Sequence, residues 1–166
     1  MVASATDKSA IVMETQALYT AYFRADDPRE KEAVVDGVHT GFPLNDALWR
    51  TNHGYDPQIM KDFLWSQKMG TDTEERYMMI HDAIVDYQQR NEGIAIEQMI
   101  NVTSLAGKKG PNYYKCGNTH SGSNVLSVAF DPSRVTMYAA WEGFSGDSWR
   151  PAACNSYLQL NMTQWF

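Results

Sequence analysis

The sequence predicts an α+β fold with a largely antiparallel sheet. Strand-like runs open and close the chain, and helical periodicity is confined to the middle. No helix separates the early strands, as a βαβ pattern would require. The length of 166 residues fits a single domain over 1–166, large enough to bury a core.

Ala10-Ile11-Val12-Met13-Glu14 is a β-prone run, and Ala17 to Phe23 follows closely enough to form a hairpin with it. A charged loop from Arg24 to Glu32 holds Pro28. Val34 to His39 reads as another strand, and Gly41, Pro43, Asn45 and Asp46 mark a turn. Ala47 to Asn52 reads as a strand ending in the polar cluster Thr51-Asn52-His53-Gly54. Asp56-Pro57 opens a helix, with Asp at the N-cap and Pro at the first helical position, and Gly70 stops it. Thr71 and Glu74 have the spacing of a capping box for a second helix, whose stripe is Tyr77, Ile80, Ile84 and Tyr87. A third helix from about Ala95 groups Ile96, Met99, Ile100 and Thr103 until Gly107. Asn124–Phe130 and Arg134–Trp141 flank Asp131-Pro132-Ser133 as a hairpin, and Asn155–Met162 forms the closing strand.

The net charge of −6 argues against nucleic acid as a partner, because a phosphate-binding surface needs a basic excess. No run of about 18 apolar residues is present, so no membrane span is expected. Asn101-Val102-Thr103 and Asn161-Met162-Thr163 both satisfy the N-glycosylation pattern. Cys116 and Cys154 are the only cysteines. They are expected to form one disulfide, as in an oxidising compartment, two buried thiols being the alternative. The first residues, Met1 to Lys8, lack a basic segment followed by a long apolar one. The expectation is therefore a piece whose targeting segment lies elsewhere, from a secreted or lysosomal protein; a cytosolic chain is the alternative.

Phosphate-binding glycine loops, C-x-x-C, G-x-S-x-G and H-E-x-x-H are all missing. His39, His53, His81 and His120 have no ligand spacing on one element, so neither a metal nor another cofactor is expected. One cluster fits chemistry. Arg50-Thr51-Asn52-His53 stands where a β-prone run meets a loop, and an asparagine amide can donate to a developing oxyanion. The competing reading is a plain turn at Asn52-His53-Gly54. Arg76 lies in the first turn of a helix, where the dipole disfavours a cation, so it should hold an anion or a carboxylate such as Asp72, Glu74 or Glu75.

Trp49-Arg50-Thr51-Asn52-His53 followed by Glu74-Glu75-Arg76 is similar to the paired "T-N-Y/H" and "D-D-R/E-E-R" segments of one amidase group. Ala10-Ile11-Val12-Met13-Glu14-Thr15 with Tyr19 to Phe23 is similar to that group's "A-x-V-x-E-T … V-x-Y" hairpin. Asn124 to Val128 with Tyr138 to Glu142 is similar to its closing hairpin. The chain thus resembles the C-terminal part of the N-terminal-nucleophile cysteine amidases that include acid ceramidase, N-acylethanolamine acid amidase and penicillin acyltransferase.

The resemblance implies an αββα sandwich and hydrolysis of a linear amide, of the N-acyl amine or acyl amino acid type. It implies autoproteolysis to expose a cysteine that is nucleophile and, through its own α-amine, base. It makes Asn52 the oxyanion donor and Arg76 the active-site arginine, with Thr51 and His53 beside the substrate. Neither Cys116 nor Cys154 opens a strand after a plausible cleavage point, so the nucleophile is expected from an upstream segment or chain, without which this one is inactive. A second reading is a non-catalytic binding or storage protein on the same scaffold, with Trp141, Phe144 and Trp149 as its surface.

Overall fold

A computed structural model describes residues 1–4, 6–35, 38–39, 41–52, 54–62, 71–109, 116, 124–145 and 148–165. Positions 34, 35, 38, 39, 62, 71, 72, 106–109, 145 and 148 are described by backbone alone. The chain mixes helix with sheet, and among the described residues every strand pair is antiparallel. Two compact units are present, Met1–Tyr77 and Met78–Phe166.

In the first unit, β1 (Val2–Ser4), β2 (Ser9–Thr15) and β3 (Thr20–Phe23) form a sheet in that order. The register pairs Val12 with Phe23 and Glu14 with Ala21, so the two-residue strand period buries these four side chains together. Met13 and Tyr22 are paired on the opposite, exposed face. The loop after β3 contains a short helix, α1 (Pro28–Lys31), where only a charged loop was expected. Asp27 caps it through the Arg29 amide, and Pro28 starts it without wasting a donor. Gly41 is packed so closely on α1 that a β-carbon would meet the Glu30 carbonyl oxygen at 1.8 Å. The expected strand over Val34 to His39 is two short pieces, β4 (Val34–Val35) and β5 (Val38–His39), paired with each other.

Ala47 to Asn52 is not a strand. Beyond one bridge between Leu44 and Ala47 it joins no ladder among the described residues. Its apolar character reflects burial instead. Trp49 stacks on Tyr77 with ring centres 5.0 Å apart, and Tyr55 lies 5.3 Å from the same ring. Asp56 does cap α2 (Pro57–Asp62), accepting from the Gln58 and Ile59 amides at 2.9 and 3.1 Å. The remainder of that expected helix, up to Gly70, lies outside the described residues.

The long helix α3 (Thr71–Gln89) begins at the expected place, though the Thr71 side chain on which the capping box depends lies outside the described residues. Tyr77 and Ile84 are buried, while Asp82, Asp86 and Gln89 are exposed, as the periodicity requires. Helix α4 (Ile96–Lys109) continues through Gly107. Its buried positions are Val102 and Ser104; of the expected stripe, Ile96 and Ile100 are half-buried and Met99 and Thr103 exposed. The helix packs against β6 (Leu126–Asp131) and a 3-10 turn at Ala152–Cys154.

Strand β6 pairs with β7 (Thr136–Trp141), and β10 (Leu158–Asn161) adds to the other edge of β7. The Asp131 carboxylate ties the β6–β7 turn by accepting from the Ser133 and Arg134 amides. The hairpin of β8 (Gly143–Ser145) and β9 (Ser148–Arg150) was not read from sequence. It buries Trp149, whose indole donates to Glu142 at 3.1 Å, while Trp141 and Phe144 remain exposed. Cys116 and Cys154 form a disulfide with Cα atoms 5.7 Å apart.

Candidate functional site

The segment Thr51–Asn52 is fastened to the first turn of α3 by Thr73. Asn52 donates its backbone N–H to Thr73 Oγ1 at 2.8 Å. Thr73 Oγ1 donates to Thr51 Oγ1 at 2.9 Å, and Thr51 Oγ1 in turn donates to the Thr73 carbonyl at 2.8 Å. One helical turn on, Arg76 Nη2 donates to Asn52 Oδ1 at 2.9 Å.

This last bond fixes the Asn52 amide. A guanidinium carries only donors, so the atom facing it must be the amide oxygen. Both N–H bonds of Nδ2 are therefore available to an acceptor. Asn52 and Thr51 line a cleft of about 880 Å³ in the first unit, with Met13, Gln16, Tyr19 and Ile59 among its other walls. Arg76 is not among the described residues that line this cleft. The structure thus brings Thr51, Asn52 and Arg76 together; His53 lies outside the described residues.

A buried ion cluster, to which the sequence reading gave no role, shares this wall, with Glu14 and Arg50 among the residues that line the cleft. Arg50 Nε donates to Glu14 Oε1 at 3.0 Å, and its Nη2 meets Glu30. The guanidinium also lies over the Phe23 and Tyr55 rings, 4.9 and 4.7 Å from their centres. The second Glu14 oxygen accepts from the Tyr55 and Asp56 amides at 2.8 and 2.9 Å. Gly54 passes this carboxylate so closely that a β-carbon would stand 3.0 Å from it. The cluster fixes the segment carrying Thr51 and Asn52 at its start, as Thr73 does at its end. A signal for it existed: Glu14 is a carboxylate two residues after Val12 on the strand face that packs inward.

One guanidinium faces two buried carboxylates here. Burial pushes the Glu30 carboxyl above its ordinary range, and Arg50 offsets that only in part. A carboxyl raised in the folded state holds its proton more tightly there than when unfolded. Its contribution to stability is fully present below the ordinary glutamate pKa and is lost as pH rises through the raised folded value. Glu30→Gln cannot ionise. Its Tm relative to the parent chain should therefore rise as the pH is raised above the ordinary glutamate range. A Tm difference that stays constant as the pH is raised, measured by calorimetry, would refute the assignment.

In the second unit, Asn101 is exposed within α4 and Asn161 is exposed at the end of β10. No group of three His, Cys, Asp or Glu side chains placed to hold a metal occurs among the described residues. Among those residues, too, no helix is long and apolar enough to cross a membrane. No family model, curated protein or solved structure matches the chain.

Proposed function

We propose that this chain is the oxyanion-binding part of a cysteine amidohydrolase that cleaves linear amides in a secreted or lysosomal setting. The observation that carries this reading is the 2.9 Å bond from Arg76 to the amide oxygen of Asn52, a residue that lines the cleft. The resemblance to the N-terminal-nucleophile amidases rests on the same residues, and the disulfide fits an oxidising compartment.

In this mechanism a thiolate from the upstream part attacks the amide carbonyl, and the carbonyl π electrons move onto oxygen. Asn52 Nδ2 donates to that oxyanion. Arg76 holds the amide carbonyl of Asn52, so no reorganisation is needed as charge develops. Collapse expels the amine, which takes a proton from the nucleophile's own ammonium, and water then cleaves the thioester. Thr73 is a positioning residue, because it touches Asn52 and Thr51.

The test uses the precursor or assembled protein and a fluorogenic N-acyl amide. Asn52→Ala should lower kcat about 100-fold or more with little change in KM, the cost of one lost oxyanion donor. Thr73→Val should also lower kcat, and Thr73→Ser, which keeps the hydroxyl, should restore it. Undiminished turnover by Asn52→Ala would remove the oxyanion role; binding of the amide without any turnover by the parent protein would point to the non-catalytic alternative.

A further inference from the structure

One edge of β2 opens into the cleft that holds Asn52. Strand β1 pairs only with Ser9–Ile11, and β3 takes the other edge from Val12 to Thr15. On the β1 side, Val12 to Thr15 have no strand partner among the described residues. All four line the cleft, as does Met1, which precedes β1. Successive side chains alternate between the faces of a sheet, so a cavity that touches four consecutive residues meets the strand along its edge.

Which backbone groups it meets follows from the ladder. Gln16 N–H donates to the Tyr19 carbonyl at 2.8 Å, which turns Gln16 toward the β3 arm. Bonding direction alternates along an antiparallel strand, so Glu14 and Val12 also face β3, and Met13 and Thr15 face the cleft. The parity is kept at Ile11 and Ser9, which lie opposite Val2 and Ser4 on the β1 side. Among the described residues nothing bonds to the Met13 or Thr15 backbone from the cleft. Two N–H and two C=O groups thus stand two residues apart, about 7 Å, on one wall.

Each of these two positions exchanges its bonds with a single residue, which must bring an N–H and a C=O on the same side. Alternate residues of an extended peptide do so. The amide of a simple amine does not, because in a trans amide the N–H and the C=O point in opposite directions. A pairing residue also sets its side chain on the face of Met13, which is 40% exposed there.

We infer that the cleft takes its substrate as a strand added to β2, so that the amide cleaved belongs to an acylated peptide with an apolar side chain opposite Met13. The cleavage rests on the amidase reading; the binding does not. Both are measured on the precursor or assembled protein. Fluorescence anisotropy follows a fluorescein-labelled Leu-Ala-Leu-Ala-Leu peptide and copies N-methylated at one residue each. Methylation should weaken binding about tenfold at alternate residues and little at those between, the period of two that strand pairing imposes. Met13→Pro and Thr15→Pro each lose an edge N–H but keep the β3 bonds of Val12 and Glu14, so they should weaken binding too, whereas Thr15→Ala should not. The methylated peptides leave the protein unaltered, so they report even where a proline variant fails to fold. In turnover, the acetyl-Leu-Ala-Leu amide of aminomethylcoumarin should exceed the octanoyl amide of the same coumarin about 100-fold in kcat/KM, from up to four added hydrogen bonds. Absence of peptide binding, or methylation effects without alternation, would overturn strand addition. Alternating binding with no turnover of either coumarin amide would leave it standing and remove the amidase reading. Preferred cleavage of the octanoyl amide would keep the amidase reading and overturn the peptide substrate.

Discussion

Replacing Arg50 with methionine is expected to destabilise the first unit by about 3–5 kcal/mol, the usual cost of breaking a buried ion pair from one side. The reason lies in what the substitution leaves behind. Glu30 is 2% exposed and Glu14 9%, and both face the space the guanidinium occupies. Without it two carboxylates share a site with little water, and each must either stay charged against the other or take up a proton. Glu14 keeps its bonds from the Tyr55 and Asp56 amides, so it has some compensation. Glu30 lacks that support, and it should be the group that protonates. Urea unfolding of Arg50→Met should therefore show the loss, with most of it recovered when Glu30→Gln is added. A loss below about 1 kcal/mol in the single variant would mean that the cluster contributes like an exposed pair.

The same cluster shows what the sequence could and could not convey. The β2–β3 hairpin was legible because a period of two and a short turn are local properties, and the observed register follows them through Val12 and Phe23. The β6–β7 hairpin was legible for the same reason, its turn being set by Asp131, Pro132 and Ser133. Ala47 to Asn52 was misread because Leu48 and Trp49 look like strand residues whether they pair with a neighbour or sink into a core. Trp49 does the second. The stripe of α4 was legible only in part: Ile96 and Ile100 are half-buried, but Ser104 is buried as fully as any apolar residue, and a hydrophobic stripe cannot show that. Asn52 and Arg76 were picked out from motif likeness and helix position. That they share a hydrogen bond depends on Thr73 holding the Thr51–Asn52 segment to α3, a contact between positions more than twenty residues apart. Periodicity does not report such a contact. The Arg50 cluster was missed because its two carboxylates come from different elements, β2 and α1, far apart in the chain.

Reduction of the disulfide, or the double substitution Cys116→Ser/Cys154→Ser, is expected to destabilise the second unit by about 4 kcal/mol. Closing a loop with a sequence separation of 38 residues removes about that much conformational entropy from the unfolded chain. At roughly 2–4 °C per kcal/mol for a chain of this size, the corresponding fall in Tm is about 8–16 °C. Native-state contacts give the bridge a second role. Cys154 ends the 3-10 turn on which α4 packs, and its carbonyl accepts from Arg150 Nη2 at 2.5 Å. The Ala152 and Ala153 amides of that turn donate to the Asn124 carbonyl and Asn124 Oδ1, at 2.8 and 2.7 Å, which ties the turn to the residues leading into β6. The bridge therefore limits the unfolded ensemble and also anchors a turn that α4 and β6 both use. Calorimetry with and without reductant separates the bond from the side chains. The double variant should melt at the temperature of the reduced parent chain and should not respond to reductant. Equal Tm values for oxidised and reduced parent chain would show that the turn is held by its hydrogen bonds alone.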